Sequence, residues 1–262
     1  MAFYVGLNLE AFVPGVPSTS IQPGRTGVPD PLNEGWRDYG QRVGIWRLIE
    51  VLDHLGVRAS ALLTSDLVER YPQIIAAGRT RDWAWLGHGK NLSMAHHDLS
   101  EEDERAVIGE VAGTIERTLG ARPHGWMGPG LTASFATPRL LAEAGFDYLL
   151  DWTNDDQPYP LAVPGLVSVP YSVELNDFAL FLHRNFTGPE VVRVVRDQLE
   201  RLVADAEGSG RVMALGLHTF ISGQAFRTKY VEEALRLVVE HPAVWTTTSD
   251  EIAAHYRAVA GV

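Results

Sequence analysis

The side chains able to move a proton recur at one kind of position, directly after short β-prone apolar runs. Glu10 follows the run 3–9, His88 follows 83–86 inside Gly87-His88-Gly89, and His218 follows 212–217. Between them, Gly128-Pro129-Gly130 follows 123–126, Asp155 and Asp156 lie in the polar stretch after 146–150, and Asn176-Asp177 lie beyond 166–170. A carboxylate can take a proton from water, and imidazole is the side chain whose ordinary pKa lets it take or give one near neutrality. One carboxylate or imidazole after nearly every strand is the pattern of a convergent site able to move protons. The glycines flanking His88 remove packing volume and let backbone or ligand approach closely. Plainer readings stand beside these. Glu10 could pair with Arg42 or Arg47, and His218 could be a buried structural histidine. His96-His97 read as exposed loop residues, and His54, His124, His183, His241 and His255 as solitary helix or loop histidines. The acidic stretch 101–104 reads as the solvated first turn of a helix.

The elements that must position these groups alternate between short strands and longer helices. Runs 3–9, 59–63, 83–86, 123–126, 146–150, 166–170, 212–217 and 243–247 read as strands. Helical spacing marks 44–55 with Gly56 as its stop, and 65–77 with a break at Pro72. A Ser100 cap opens 100–119, Thr137-Pro138 opens a helix that Gly145 ends, and further helices cover 189–206, 232–239 and the end of the chain after Ser249-Asp250. Residues 13–38 hold Pro14, Pro17, Pro23, Pro29 and Pro31 among glycines, which predicts one long loop able to close as a lid after Glu10. Strand–helix alternation over 262 residues, without repeats or a composition break, predicts a single α/β domain spanning 1–262 with parallel strands closed into a barrel. An open doubly wound sheet is the alternative, but no glycine-rich phosphate loop follows the first strand. In a barrel the chemistry sits at the C-terminal strand ends, where these polar residues fall.

Composition closes other routes. The chain has 22 basic and 33 acidic residues, a formal charge of −11, and no basic block, so nothing predicts nucleic-acid binding. It has no cysteine, which excludes disulfides, thiolate zinc sites and thiol nucleophiles. No apolar run is long enough to predict a membrane span, and the first residues do not read as a signal peptide, so a cytoplasmic location is expected.

Several stretches carry a family likeness: Tyr39-Gly40-Gln41-Arg42-Val43-Gly44-Ile45-Trp46-Arg47, Gly87-His88-Gly89, Gly125-Trp126-Met127-Gly128-Pro129, Asn154-Asp155-Asp156-Gln157-Pro158-Tyr159, Val169-Pro170-Tyr171-Ser172 with Asn176-Asp177, and Leu217-His218. In these the chain resembles the NodB-type polysaccharide deacetylase superfamily, in the branch of allantoinases and cyclic imide hydrolases. The resemblance implies a distorted (β/α)7-type barrel and a homo-oligomer. Metal-dependent deacetylases of that superfamily hold a divalent metal with a first-strand carboxylate and two histidines four residues apart. By position Glu10 and His88 would be metal ligands, but Leu92 stands where the second histidine belongs. The cofactor expectation is therefore none, or a weakly held divalent metal such as zinc, which normally needs three protein ligands.

The expected reaction is opening of a small cyclic amide, imide or ureide. Glu10 is the expected base, His88 the oxyanion donor, and His218 the acid for the leaving nitrogen. Asp155 or Asp156 would hold a histidine in its tautomer or bind substrate N–H groups, while Arg42, Trp126 and Asn176 are candidates to orient a small-molecule substrate. A metal-dependent carbohydrate N-deacetylase and a catalytically degenerate binding protein are the alternatives.

Overall fold

The computed structural model describes residues 1–22 and 27–261. In chain order the elements are β1 (Ala2–Leu9), α1 (Pro31–Tyr39), α2 (Ile45–Leu55), β2 (Ala59–Leu63), α3 (Ser65–Arg70), α4 (Pro72–Arg79), β3 (Ala84–Gly87), α5 (Glu101–Leu119), β4 (Gly125–Trp126), α6 (Thr137–Glu143), β5 (Tyr148–Leu149), β6 (Tyr159–Pro160), β7 (Val167–Ser168), α7 (Gly188–Asp205), β8 (Val212–His218), α8 (Thr219–Ser222), α9 (Ala225–Val239), β9 (Trp245–Thr246) and α10 (Ser249–Ala260). The strands form one sheet in the order β6-β7-β5-β4-β3-β2-β1-β8, with β9 also against β1. All pairings are parallel except the β6–β7 edge. The sheet curls so that its ends meet. Gly216 N donates to Leu175 O at 3.0 Å and Val212 N to Asp156 O at 2.8 Å, bridging a seam that carries no continuous ladder.

Period-two alternation sorts the strand residues into two apolar layers. Phe3, Val5, Leu7 and Leu9 of β1, with Leu215 and Leu217 of β8, pack outward under the helices. Tyr4, Leu62, Leu86, Met127, Tyr148, Val169, Tyr171 and Ala214 fill the barrel interior. Asn8 and Glu10 continue the inward phase of Tyr4, and His218 continues that of Val212 and Ala214. Both groups therefore arrive at the C-terminal mouth facing the axis.

Some expectations change. Residues 13–38 are not all loop, because α1 occupies Pro31–Tyr39. Asp30 caps it by accepting from Asn33 N at 3.4 Å, with Pro31 in the first turn; in α6 the expected order shifts by one, because Thr137 is the first helical residue and Ala136 holds the cap position. Residues 23–26, and with them Pro23 of the expected loop, lie outside the described residues. A π-turn at Gly40–Gly44 joins α1 to α2, and α9 begins at Ala225 rather than 232. The turn's glycines lie against the segment after His218: a Cβ at Gly40 would fall 2.6 Å from Phe220 N, and one at Gly44 2.0 Å from Thr219 O. Trp36 and Phe12 add edge-on contacts to Phe220 at 4.7 and 5.9 Å. The α1–α2 corner thus buttresses the strand end that carries His218.

Candidate functional site

Glu10, His88 and His218 meet at the barrel mouth. The Glu10 carboxylate lies 3.5 Å from His88 Nε2 and 3.5 Å from His218 Nε2. All three side chains are buried. Each imidazole is fixed from behind. His88 Nδ1 donates to Met127 O at 2.8 Å, and His218 Nδ1 donates to Asp177 Oδ1 at 2.6 Å. A carbonyl and a carboxylate only accept, so both Nδ1 atoms carry the proton and both Nε2 atoms turn towards Glu10. Asp177 is itself held, since its other oxygen accepts from His218 N at 2.7 Å and Ser222 Oγ at 2.5 Å.

The electrostatics follow from that sandwich. Burial alone would push Glu10 up, but the charge and the hydrogen bond of His218, with His88 on its other side, pull its carboxyl down to about 2. Burial alone would lower His218, but Glu10 and Asp177 on either side hold it up at about 10. At neutral pH the ground state is carboxylate–imidazolium–carboxylate.

These groups line a cavity of about 330 Å³ with Asn8, Asn176 and His183 as further polar members. Leu92, Met127, Leu131, Val173 and Phe178 make most of the remaining wall, and among the described residues no lysine or arginine lines it. Thr19 is the contribution of the proline-rich loop. Asn176 donates through Nδ2 to Tyr171 Oη at 2.9 Å and accepts from Phe178 N at 2.9 Å.

Other expected residues stand elsewhere. Arg42 is exposed and paired with Asp38 at 3.6 Å, away from the cavity. Trp126 is fully buried on the outward phase of β4, against Phe146 and His96 at ring separations of 5.4 and 5.5 Å. Asp155 and Asp156 line a separate cleft of about 580 Å³ beside the seam, where Asp155 accepts from Gln157 N at 2.9 Å. The histidine-orienting position expected of them is filled by Asp177. His96 is not an exposed loop residue: it is buried, with Nδ1 3.6 Å from Glu104. Glu104 likewise turns in from the acidic first turn of α5 to accept from Ser134 Oγ at 2.6 Å and from Thr137 Oγ1. Asp177 sits where the polar-after-strand rule points, but the chain runs irregularly for eight residues past β7 before reaching it, which hid its phase.

The metal expectation fails a test of the donor set. Leu92 lines the cavity four residues after His88 and brings no lone pair. His218 is engaged between two carboxylates, and among the described residues no group of three or more His, Cys, Asp or Glu has metal-holding geometry. The residues present do not fit the deacetylase-type metal centre.

The curled (β/α) barrel is a fold shared with solved structures described as an allantoinase and as polysaccharide deacetylases. No family model matches the sequence. A candidate polysaccharide deacetylase of Schizosaccharomyces pombe is 24% identical over 242 residues, 84% of this chain and 75% of that protein. Among solved structures, the Puue allantoinase superposes with a TM-score of 0.89 at 23% identity, covering 98% of this chain and 90% of that one. A candidate polysaccharide deacetylase from Mycobacterium smegmatis superposes with a TM-score of 0.82 at 25% identity, covering 99% and 91%. Among the described residues no helix is long and apolar enough to cross a membrane.

Proposed function

We propose that the protein hydrolyses a carbon–nitrogen bond in a small, neutral cyclic amide, imide or ureide by acid–base activation of water. The observation that carries this reading is the Glu10 carboxylate set between two imidazoles whose Nδ1 atoms are both pinned, inside a largely apolar cavity of about 330 Å³. With its proton held on Nδ1 by Met127 O, His88 turns its Nε2 lone pair to the cavity, so the oxyanion role expected of it falls to His218. Glu10 and His88 instead present two acceptors 3.5 Å apart, suited to grip both protons of one water and aim its oxygen at a carbonyl. His218, kept protonated by its two carboxylates, donates from Nε2 to the developing oxyanion and then to the departing nitrogen. Glu10 takes the water proton as the C–O bond forms; the C–N bond breaks, nitrogen receives the His218 proton, and the acid product ionises. No step runs through a metal.

An imide or strained lactam suits this site better than an acetamide, because water activated by a carboxylate alone is a modest nucleophile and needs an activated carbonyl. The wall also lacks the polar density that a polyhydroxylated sugar would require. The relative described as a deacetylase keeps carbohydrate N-deacetylation as the second reading. A panel of succinimides, hydantoins, ureides and N-acetylglucosamine oligomers, followed by ring opening or acetate release, decides between them. Glu10→Gln and His218→Ala should each lower kcat by about 10²–10⁴-fold with the fold intact. Near-normal turnover by either would remove that residue from its role, and acetate release alone would favour the second reading.

A further inference from the structure

Asp151 is the acid of the barrel mouth that the mechanism leaves without work. Its carboxylate lies at the end of β5, outside the wall of the catalytic cavity, and no lysine or arginine pairs with it among the described residues. Both its oxygens accept from a single donor, Gly128 N, at 3.0 and 3.1 Å. The carbonyl of that same peptide group, Met127 O, is the acceptor that holds His88 Nδ1 at 2.8 Å. One amide therefore has a carboxylate on its N–H and an imidazole on its C=O. Its neighbours fix it in place, because Met127 N donates to Gly87 O at 2.9 Å and Leu150 N to Trp126 O at 2.9 Å. Gly128 makes the approach possible: a Cβ there would fall 2.6 Å from Asp151 Oδ1.

We propose that Asp151 is the positioning residue of His88, acting through the Met127–Gly128 peptide group as Asp177 acts directly on His218. A carboxylate on the N–H draws the amide proton and deepens the negative charge on the carbonyl oxygen, so Met127 O becomes a stronger acceptor. Hydrogen bonds in series reinforce one another in this way by about 10–30% each. The result is an Nδ1–H tautomer of His88 with its Nε2 lone pair committed to the cavity. The barrel then carries two parallel devices, Asp177 to His218 and Asp151 to peptide to His88, which converge on Glu10 from opposite sides. A half-buried carboxylate without a cation is more than anchoring alone requires, since an uncharged acceptor would satisfy one N–H.

The tautomer effect stands apart from the hydrolase reading; only its effect on rate rests on that reading. The test uses the full chain labelled with ¹⁵N-histidine, with the His88 signal assigned by its loss in His88→Gln. Asp151→Asn keeps an acceptor for Gly128 N but removes the charge, and Gly128→Ala displaces the carboxylate without removing it. In both, the His88 Nδ1 proton should move upfield and exchange faster with solvent, while the His218 signals stay put. With an imide substrate, kcat should fall about 10-fold with KM unchanged, below the 10²–10⁴-fold of a group that transfers the proton itself. A His88 signal indifferent to both substitutions in folded protein would overturn the proposal, because an acid that merely anchors the loop predicts that indifference. Altered His88 signals in a protein inactive on every amide would uphold the relay and reject the hydrolase.

Discussion

Asp177→Asn is the sharpest single perturbation of the site. Asp177 accepts three hydrogen bonds on two oxygens, from His218 Nδ1, His218 N and Ser222 Oγ. Asparagine supplies one oxygen and one NH₂, so it cannot reproduce this pattern. If its oxygen faces Nδ1, the NH₂ confronts the buried His218 N–H, donor against donor. If the amide flips, its NH₂ donates to Nδ1 and drives the histidine proton to Nε2. The stability cost follows from the charges. Glu10, His218 and Asp177 sum to one net negative charge, and removing the Asp177 charge leaves a balanced Glu10–His218 pair. The loss should therefore be that of an unsatisfied buried donor, about 1–3 kcal/mol, and not the 3–5 kcal/mol of a stranded charge. Catalysis should suffer more. With one of its two carboxylates gone, His218 loses much of the support that holds it up at about 10, and the basic limb of the pH–rate profile should move to lower pH. The imidazolium would also be misoriented, and kcat on a neutral imide should drop about 10²–10⁴-fold. Chemical denaturation and initial rates across pH measure both. A variant destabilised as stated but with kcat within threefold of wild type and an unmoved basic limb would show that His218 does not work through Asp177.

Three further outcomes follow from the same geometry. His218 is raised to about 10 in the folded chain, so its contribution to stability is complete below its ordinary value of about 6.5 and is lost as pH rises through about 10. The melting temperature should fall across that window in wild type and fall less in His218→Ala; parallel curves would refute the assignment. Gly44→Ala drives a Cβ to 2.0 Å from Thr219 O, a backbone atom that cannot swing aside, and should cost about 1–3 kcal/mol and lower kcat by moving the His218 strand end. Gly109→Ala, which meets nothing within 4 Å on α5, should instead raise stability by about 0.5–1 kcal/mol; equal losses in calorimetry would sink the packing argument. Turnover should survive chelator treatment followed by elemental analysis, and activity that disappears and returns with zinc would overturn the metal-free mechanism.

What the sequence made legible was set by phase. Along long strands, period-two alternation carries Tyr4 to Glu10 and Val212 to His218 on the inward face, so the position just past the strand, which the sequence shows, is enough to bring both groups to one cavity. Where ladders shorten to two residues, as in β4, β5 and β7, there is too little alternation to fix a face, and Trp126, Asp155 and Asp156, expected at the site, stand outside the cavity. His96 and Glu104 escape for a related reason: a polar pair buried against an aromatic ring looks, in sequence, like a solvated loop histidine and an acid of a solvated helix start. Arg42 belonged to a conspicuous motif, but the motif's work lies in its glycines, which let a π-turn press on the backbone after His218.

The resulting site has a consequence for direction. Two carboxylates and one imidazolium leave the mouth net negative, the wall around them is largely apolar, and among the described residues no lysine or arginine lines the cavity. A neutral imide enters without an electrostatic penalty, whereas its ring-opened product carries a new carboxylate beside Glu10. Like charges a few ångströms apart in a medium of low effective dielectric repel by several kcal/mol before screening. In the proposed reaction the charges that keep His218 protonated therefore also disfavour the anionic product, and an imide's half-amide acid should inhibit far more weakly than the parent imide binds. A half-amide acid that competes as tightly as the substrate would mean that a cation the charge count omits reaches the cavity, and the neutral-substrate reading would fail with it.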